Sequence, residues 1–185
     1  MKFSRTYYDI KKFIKTNNRI CINQGGTRSG KTYSILQFLI ESAIRGAEFN
    51  MFPQVVTICR KTFPSLRATA MRDFFEILRS IKWYDELFHN KSTAEYLLGN
   101  TTFEFISLDQ PQKVRGRKRD VLFVNEANEM TLEDWRQLVM RTTGLVFIDY
   151  NPSDEYHFIY DNIANRNDAS FFITTYKDNP YLSEL

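Results

Sequence analysis

Eight residues near the start of the chain have the types and the spacing that bind phosphate. They are Gly25-Gly26-Thr27-Arg28-Ser29-Gly30-Lys31-Thr32, and they fit the pattern G-x-x-x-x-G-K-[ST]. Glycines let the backbone wrap closely around an anion, so that successive N–H groups converge on the phosphate oxygens. In such a loop Lys31 reaches the β- and γ-phosphates of a nucleotide, and the hydroxyl of Thr32 holds Mg²⁺. The alternative is an ordinary glycine-rich turn, but a chance match in a chain of this length has a probability of about half a percent.

A second candidate site element consists of Asn125 and Glu126, which follow four apolar residues, Val121–Val124. An apolar run without alternation predicts a strand that is buried on both faces. Such a strand carries the residues after it to the carboxyl edge of the sheet, where ligands bind. There Glu126 would orient and deprotonate an attacking water, as in ATPases; kinases and GTPases place this group elsewhere. The alternative is a surface glutamate at the end of a strand.

Asn125 stands where this second motif, known as Walker B, usually has an aspartate. An amide can hold a water that is bound to Mg²⁺, but it brings no negative charge. We therefore assign Thr32 and Asn125 to metal binding and expect the metal to bind more weakly than it would beside an aspartate. The phosphates of the nucleotide compensate in part, because they also bind the metal.

Arginines can supply positive charge to a phosphoryl-transfer transition state. Arg28 lies inside the phosphate loop and can reach the γ-phosphate of its own subunit. Arg115 and Arg117 lie in the basic run 113–119 and can serve a neighbouring subunit as an arginine finger. This run can also be a solvated loop or a contact for DNA phosphates. Asn151 follows a later apolar run, where a polar sensor of the γ-phosphate belongs; the alternative is an Asn-Pro turn.

The composition is that of an ordinary globular domain. The chain has 185 residues, of which 43% are hydrophobic and 25% charged, and its net charge of +3 is too small to indicate nucleic-acid binding by itself. No apolar stretch approaches the ~20 residues that cross a bilayer, and the first 15 residues lack the core of a signal peptide. Cys21 and Cys59 each lie in an apolar run, which predicts buried free thiols of a reducing compartment. His89 and His157 are isolated and indicate no metal site.

The elements that must position these residues alternate between strands and helices. We predict helices over residues 5–17 and 30–45, and the second of these is stopped by Gly46. A third helix is capped by Ser65 and extends to residue 81. A fourth, of about ten residues, is capped by Thr131 together with Asp134. Strands are predicted at 19–23, 54–59, 121–124, 145–148 and 170–174, with a hairpin of residues 94–98 and 101–108 around Gly99-Asn100. The predicted fold is a single α/β domain over residues 1–185. It is a three-layer P-loop NTPase of the RecA-like, ASCE type, with a mostly parallel sheet and a β-hairpin.

These motifs, in this order and spacing, resemble the ATPase domain of the large terminase subunit of tailed bacteriophages, the motor that packages DNA. The resemblance covers about residues 19–182. It is carried by the phosphate loop and the strand before it, the segment ICRKTFPSLR (58–67), Val114-Arg115-Gly116, the stretch DVLFVNEANE (120–129), Asp149-Tyr150-Asn151-Pro152 and the ending TYKDNPYL (175–182). Arg141 falls where the family has an arginine that closes the next helix. Many families share the phosphate loop, so the other segments make the match specific.

The resemblance implies that the chain hydrolyses ATP with Mg²⁺. A ring of such subunits, docked on the portal of a prohead in the host cytoplasm, would pull in double-stranded DNA with the help of a small-terminase partner. No membrane is expected among its partners. The nuclease domain of the full-length family would follow Leu185, so this chain is expected not to cut DNA. Family members often contact adenine through a glutamine upstream of the loop. None precedes Gln24 here, which leaves stacking on Tyr7 or Tyr8 as the hypothesis.

Two other functions fit the same motifs. A RecA-like helicase or repair ATPase shares both nucleotide-binding motifs, but it separates strands instead of packaging duplex DNA. A nucleotide-gated DNA-binding or assembly module would bind ATP and hydrolyse little of it, because Asn125 weakens the metal site.

Overall fold

An eight-stranded sheet forms the centre of the residues that the computed structural model describes, namely 2–49, 55–109, 114, 118–152 and 158–182. Its strands are β1 (Ile20–Gly25), β2 (Val55–Arg60), β3 (His89–Asn90), β4 (Glu95–Leu98), β5 (Thr101–Ser107), β6 (Val121–Val124), β7 (Val146–Tyr150) and β8 (Ala169–Thr174). Their order is β3-β4-β5-β2-β6-β7-β1-β8; neighbours from β5 to β8 are parallel, and β3, β4 and β5 pair antiparallel. The predicted hairpin joins β4 to β5 and turns at Gly99, whose φ is +59°.

Helices cover both faces of this sheet. They are α1 (Arg5–Phe13), α2 (Lys31–Phe49), α3 (Phe63–Leu66), α4 (Arg72–Ser80) and α5 (Leu132–Val139), with π-helical turns at Arg67–Met71 and Ile159–Ala164. Side chains of α1 to α4 share one hydrophobic core with one face of the sheet. Those of α5 and of the second π-helical turn share another core with the opposite face. These layers confirm the predicted three-layer fold. Within the described residues, no helix has both the length and the apolar character needed to cross a bilayer.

The central strand β6 shows why its sequence is continuously apolar. Successive side chains of a strand point to opposite faces of the sheet. Val121 and Phe123 lie in the core on one face, and Leu122 and Val124 lie in the core on the other. All four are at most 2% exposed. Because helices cover both faces, no position of β6 meets water, and the predicted buried strand is confirmed.

Three predicted helix boundaries are wrong. Helix α1 ends at Phe13 instead of residue 17. At this end the hydroxyl of Thr16 donates to the Phe13 carbonyl at 2.7 Å. Helix α2 continues through Gly46, since an interior glycine costs about 1 kcal/mol relative to alanine but causes no clash. Helix α3 begins at Phe63 with Thr62 at the N-cap, because Pro64 is well tolerated in a first turn; Ser65 is therefore not the cap.

Strand β7 is longer than predicted, and the difference changes the candidate site. The apolar run indicates a strand over 145–148, whereas β7 extends to Tyr150 and is buried along its whole length. Pairing with β1 extends it, since Asp149 lies opposite Asn23 and Tyr150 opposite Gln24. The Tyr150 hydroxyl also donates to Gln24 Oε1 at 2.8 Å. Asp149 is therefore a fully buried acid inside the sheet instead of part of a turn.

The capping box at the start of α5 gives a stability prediction. Thr131 Oγ1 accepts from the Asp134 N–H at 3.2 Å, and Asp134 Oδ2 accepts from the Thr131 N–H at 3.0 Å. We expect Thr131→Ala to lower the free energy of unfolding by about 1 kcal/mol, because the helix loses a backbone partner. Urea titration followed by circular dichroism measures this. Thr131→Ser keeps the hydroxyl and is the control; an equal loss in that variant would show that the cap is not responsible.

The two cysteines give a reactivity prediction. Cys21 and Cys59 are free thiols buried in β1 and β2, as predicted, and burial raises the pKa of each to about 12. Since the thiolate is the reacting species, we expect neither to react with iodoacetamide in the folded chain at mildly alkaline pH. Mass spectrometry should find both alkylated once denaturant is added. Rapid labelling of the native chain would contradict this burial.

Candidate functional site

The phosphate loop connects the end of β1 to the start of α2, which is the strand–loop–helix arrangement that its chemistry needs. Gly25 packs tightly against β8, because a Cβ there would lie 2.7 Å from the Thr174 carbonyl oxygen. Gly30 has a φ of +79°, a conformation that L side chains rarely adopt. The glycines of the motif therefore set the path of the backbone toward the N-terminus of α2.

The middle of the loop contains a strained residue and an unpaired hydroxyl. Arg28 has a φ of +68°, and its carbonyl accepts from Asn179 Nδ2 at 2.8 Å. Its side chain is exposed. Ser29 is 1% exposed, and its Oγ has no hydrogen-bond partner among the described residues. Buried polar groups are normally paired, so the Ser29 hydroxyl is available to bind a polar ligand in the loop.

A line of three side chains crosses from the loop to the acid after β6. Lys31 is only 5% exposed, and its Nζ donates to Asn151 Oδ1 at 2.8 Å. Asn151 Nδ2 in turn lies 3.4 and 3.5 Å from the two carboxylate oxygens of Glu126. The structure thus brings together the predicted phosphate-binding lysine, the predicted sensor and the predicted base. Asn151 is the link between them.

Glu126 is held in an unusual backbone conformation at the end of β6. Its φ is +52°, and its N–H donates to Asp149 Oδ1 at 2.7 Å. Burial raises the pKa of the Glu126 carboxyl above its ordinary value, the nearby Asp149 raises it further, and Lys31 opposes both. A carboxylate with a raised pKa is a better proton acceptor near neutral pH. Strained residues of this kind cluster at functional sites.

Below this line, Thr32, Asn125 and Asp149 form a compact polar group. Asn125 Nδ2 donates to the two Asp149 carboxylate oxygens at 3.0 and 3.2 Å and lies 3.3 Å from Thr32 Oγ1. The Thr32 hydroxyl also donates to Asp149. The two predicted metal ligands, Thr32 and Asn125, therefore lie together. Asp149 was missed by the sequence analysis, although it follows a buried apolar run just as Glu126 does.

A second set of residues missed by the sequence analysis lies beside Asn125. Arg60, at the end of β2, makes a bidentate ion pair with Glu129, with N···O distances of 3.0 and 2.6 Å. Its Nη1 also donates to Thr69 Oγ1 at 2.9 Å, and that hydroxyl lies 3.3 Å from Asn125 Oδ1. The pair ties the π-helical turn Arg67–Met71 to the site. Two sequence features could have indicated this pair: Arg60 begins the RKT segment, and Glu129 is the second acid of the NEANE segment.

The remaining candidates lie elsewhere. Arg115 and Arg117 fall outside the described residues, and Arg141 is exposed just beyond the end of α5. Tyr7 is 2% exposed and stacks on Phe3 inside the core, so the hypothesis that it stacks on a base is wrong for the structure described here. Tyr8 is 54% exposed.

The donor set suits Mg²⁺, which prefers oxygen ligands and is usually bound through one or two carboxylates together with substrate phosphates. The hydroxyl of Thr32 and the carboxylate of Asp149 supply oxygen ligands, whereas Asn125 turns its Nδ2 toward them and its Oδ1 toward Thr69. No group of three or more His, Cys, Asp or Glu within the described ranges could hold a metal by itself. Phosphate oxygens would have to complete the site.

Fold and site together define the class of protein. The phosphate loop follows β1, the acid follows β6, and β7 lies between these two strands in a parallel sheet with helices on both faces. This is the architecture of a P-loop NTPase. The chain belongs, more particularly, to the phage terminase large subunit family, which it matches over residues 17–185. No curated protein matches the sequence.

Solved structures agree with this family. The large terminase of a thermophilic bacteriophage superposes with a TM-score of 0.82 at 17% identity, covering 100% of this chain and 48% of that one. The large terminase ATPase domain of Thermus phage P74-26 gives 0.66 at 15% identity, with 93% and 80% covered. The large terminase of bacteriophage HK97 gives 0.73 at 11% identity, with 94% and 39% covered. The chain thus spans about half the length of the first of these terminases. That enzyme has also been solved with ADP and with ATP-γ-S.

Proposed function

We propose that this chain hydrolyses ATP to drive DNA packaging. The observation that carries the proposal is the line Lys31–Asn151–Glu126, which joins a phosphate-binding lysine to a carboxylate across a gap bridged by one amide. A protein that only held a nucleotide would not need a half-buried acid joined in this way to the phosphate-binding lysine. The nucleotide complexes of the thermophilic terminase support ATP as the substrate.

In the proposed reaction the loop binds the triphosphate through its N–H groups and the N-terminus of α2. Gly25, Gly26, Thr27, Arg28, Ser29 and Gly30 supply the loop backbone, and the Lys31 ammonium moves from Asn151 to the β- and γ-phosphates. Mg²⁺, held by Thr32 at a site that Asn125 borders, would neutralise charge on the phosphates during the reaction. Glu126 accepts a proton from a water molecule while the oxygen of that water attacks the γ-phosphorus. The bond between the γ-phosphorus and the oxygen that bridges the β- and γ-phosphates breaks, which gives ADP and phosphate.

Arginine and Asn151 complete the proposed cycle. Arg28 extends from the loop and stabilises charge on the γ-phosphate in the transition state, while Arg115 acts from a neighbouring subunit of a ring. Asn151 loses its lysine partner when nucleotide binds, so its side chain can turn the Nδ2 donor toward the γ-phosphate. Return of Lys31 to Asn151 after phosphate release would couple hydrolysis to movement of β7.

Membership of the terminase family supports the wider proposal. Subunits would form a ring on the portal of a prohead and move double-stranded DNA into it, in the host cytoplasm and with a small terminase subunit as partner. The buried free thiols suit a reducing compartment. A nuclease activity is not proposed for the part of the protein given by these 185 residues.

The test is to measure phosphate release and DNA protection with the chain, portal-bearing proheads and linear double-stranded DNA. We expect proheads and DNA together to stimulate hydrolysis, and the DNA to become resistant to nuclease. Strand displacement without proheads would instead favour the RecA-like helicase. ATP binding without hydrolysis, even on the assembled portal, would favour the nucleotide-gated module.

A further inference from the structure

The expected acid of the Walker B motif is absent from its usual strand and is found one strand away. The register of β6 and β7 pairs Leu122 with Val146 and Val124 with Ile148. Continued by one residue, it brings Asn125 level with Asp149, and the two side chains are hydrogen-bonded at 3.0 and 3.2 Å. The site therefore contains one amide at the end of β6 in contact with one carboxylate in β7.

The surroundings of Asp149 are unusual for a structural acid. It is 0% exposed, and its partners among the described residues are neutral donors: the Asn125 amide, the Glu126 N–H and the Thr32 hydroxyl. No ion pair between described residues includes it. Buried charges are normally paired or coordinate metals. Arg60 acts on Asp149 only through space, and a cation at Thr32 would be a positive charge in direct contact with it.

We propose that Asp149 is the carboxylate that holds the nucleotide-bound Mg²⁺ in this chain, together with Thr32, and that Asn125 positions it. This rests on the proposed function, because the metal enters with ATP. The contact between Asp149 and Thr32 places a charged oxygen beside the hydroxyl that binds the metal in phosphate loops. The weaker metal binding expected from Asn125 alone is then offset by the neighbouring strand.

The test compares ATP-γ-S binding with Mg²⁺ and with EDTA by calorimetry, so that it does not depend on turnover. The measured quantity is the gain in affinity that Mg²⁺ produces. We expect Asp149→Asn to reduce this gain by about tenfold or more while leaving binding in EDTA unchanged or stronger. The double variant Asn125→Asp/Asp149→Asn restores the charge and the hydrogen bond with donor and acceptor exchanged. Its gain should return to within about threefold of the natural chain, since neighbouring substitutions couple.

Electron paramagnetic resonance of Mn²⁺ provides an independent readout. ATP-γ-S-dependent binding of Mn²⁺ should weaken in Asp149→Asn and recover in the double variant. Asp161→Asn, which removes an exposed carboxylate, is the matched control and should change neither measurement.

Each other outcome has a distinct meaning. An unchanged Mg²⁺ gain in Asp149→Asn overturns the proposal while ATP binding stands. An equal loss with Mg²⁺ and with EDTA overturns it too, because Asp149 would then only hold the backbone of Glu126. If the single variant does not fold, the double variant decides, and failure of that variant to recover the gain overturns the proposal. Absence of ATP-γ-S binding by the natural chain under both conditions would overturn the proposed function as well.

Discussion

Glu126→Gln is expected to lower the rate of ATP hydrolysis by about 10²–10⁴-fold, the usual contribution of a general base. Glutamine has nearly the same shape but cannot accept the proton of the attacking water. ATP binding should change little, because Lys31 and the loop backbone are untouched. The distances of 3.4 and 3.5 Å from Asn151 to the carboxylate mark a weak contact, so its loss should not collapse the site.

Single-turnover measurements with protein in excess over radiolabelled ATP give the hydrolysis rate even if product release is slow. A fluorescent ATP analogue reports binding separately. Glu133→Gln is the matched control, since this exposed glutamate lies on the first turn of α5 and contacts only Gln137 among the side chains described. Undiminished hydrolysis in Glu126→Gln would remove Glu126 from the mechanism. A parallel loss of binding would indicate a structural role.

Lys31→Ala is expected to lower kcat/KM for ATP by about 10²–10³-fold, because removing one preorganised donor from a phosphoryl-transfer site typically costs this much. The ammonium is almost fully buried and already lies within the site, so it only has to exchange Asn151 for the phosphates when nucleotide binds. Unlike Glu126→Gln, this variant should lose ATP affinity itself. The two variants therefore separate binding from chemistry.

Calorimetric titration with ATP-γ-S measures the affinity, and phosphate release measures kcat/KM. Lys91→Ala is the control, because Lys91 pairs with Glu86 at the antiparallel edge of the sheet, far along the strand order from β1. ATP binding that survives Lys31→Ala at full strength would show that the loop does not hold the phosphates. A lower melting temperature in Lys31→Ala but not in Lys91→Ala would mean that the lysine also stabilises the fold.

Much of the fold could be predicted because its signals are local. The buried strand β6, the hairpin at Gly99 and the capping box of Thr131 each depend on residues that lie within a few positions of one another. The glycine spacing of the phosphate loop is likewise a local signal, although Thr174 and Asn179 also pack against the loop in the folded chain. Helix ends were less predictable, as Gly46 shows: a glycine permits a helix to end, but its cost of about 1 kcal/mol does not force the helix to end there.

The partners of the site residues could not be predicted in the same way. Asp149 meets Asn125 only because β7 lies beside β6, and the sequence does not state the order of strands in a sheet. The Arg60–Glu129 pair likewise joins residues from different strands and loops. An acid at the end of an apolar run was a usable signal for both Glu126 and Asp149, but only for Glu126 did a known motif assign the acid a role.

By itself the sequence determined the loop that binds phosphate, the strand that carries Glu126 and the membership of the terminase family. The first two depend on contiguous residues, and the third depends on the order of short motifs along the chain. The tertiary structure alone decided which carboxylate lies beside Thr32 and which amide connects Lys31 to Glu126. These contacts join residues more than twenty positions apart, and hydrogen bonds over such separations exist only after the strands have found their neighbours in the sheet.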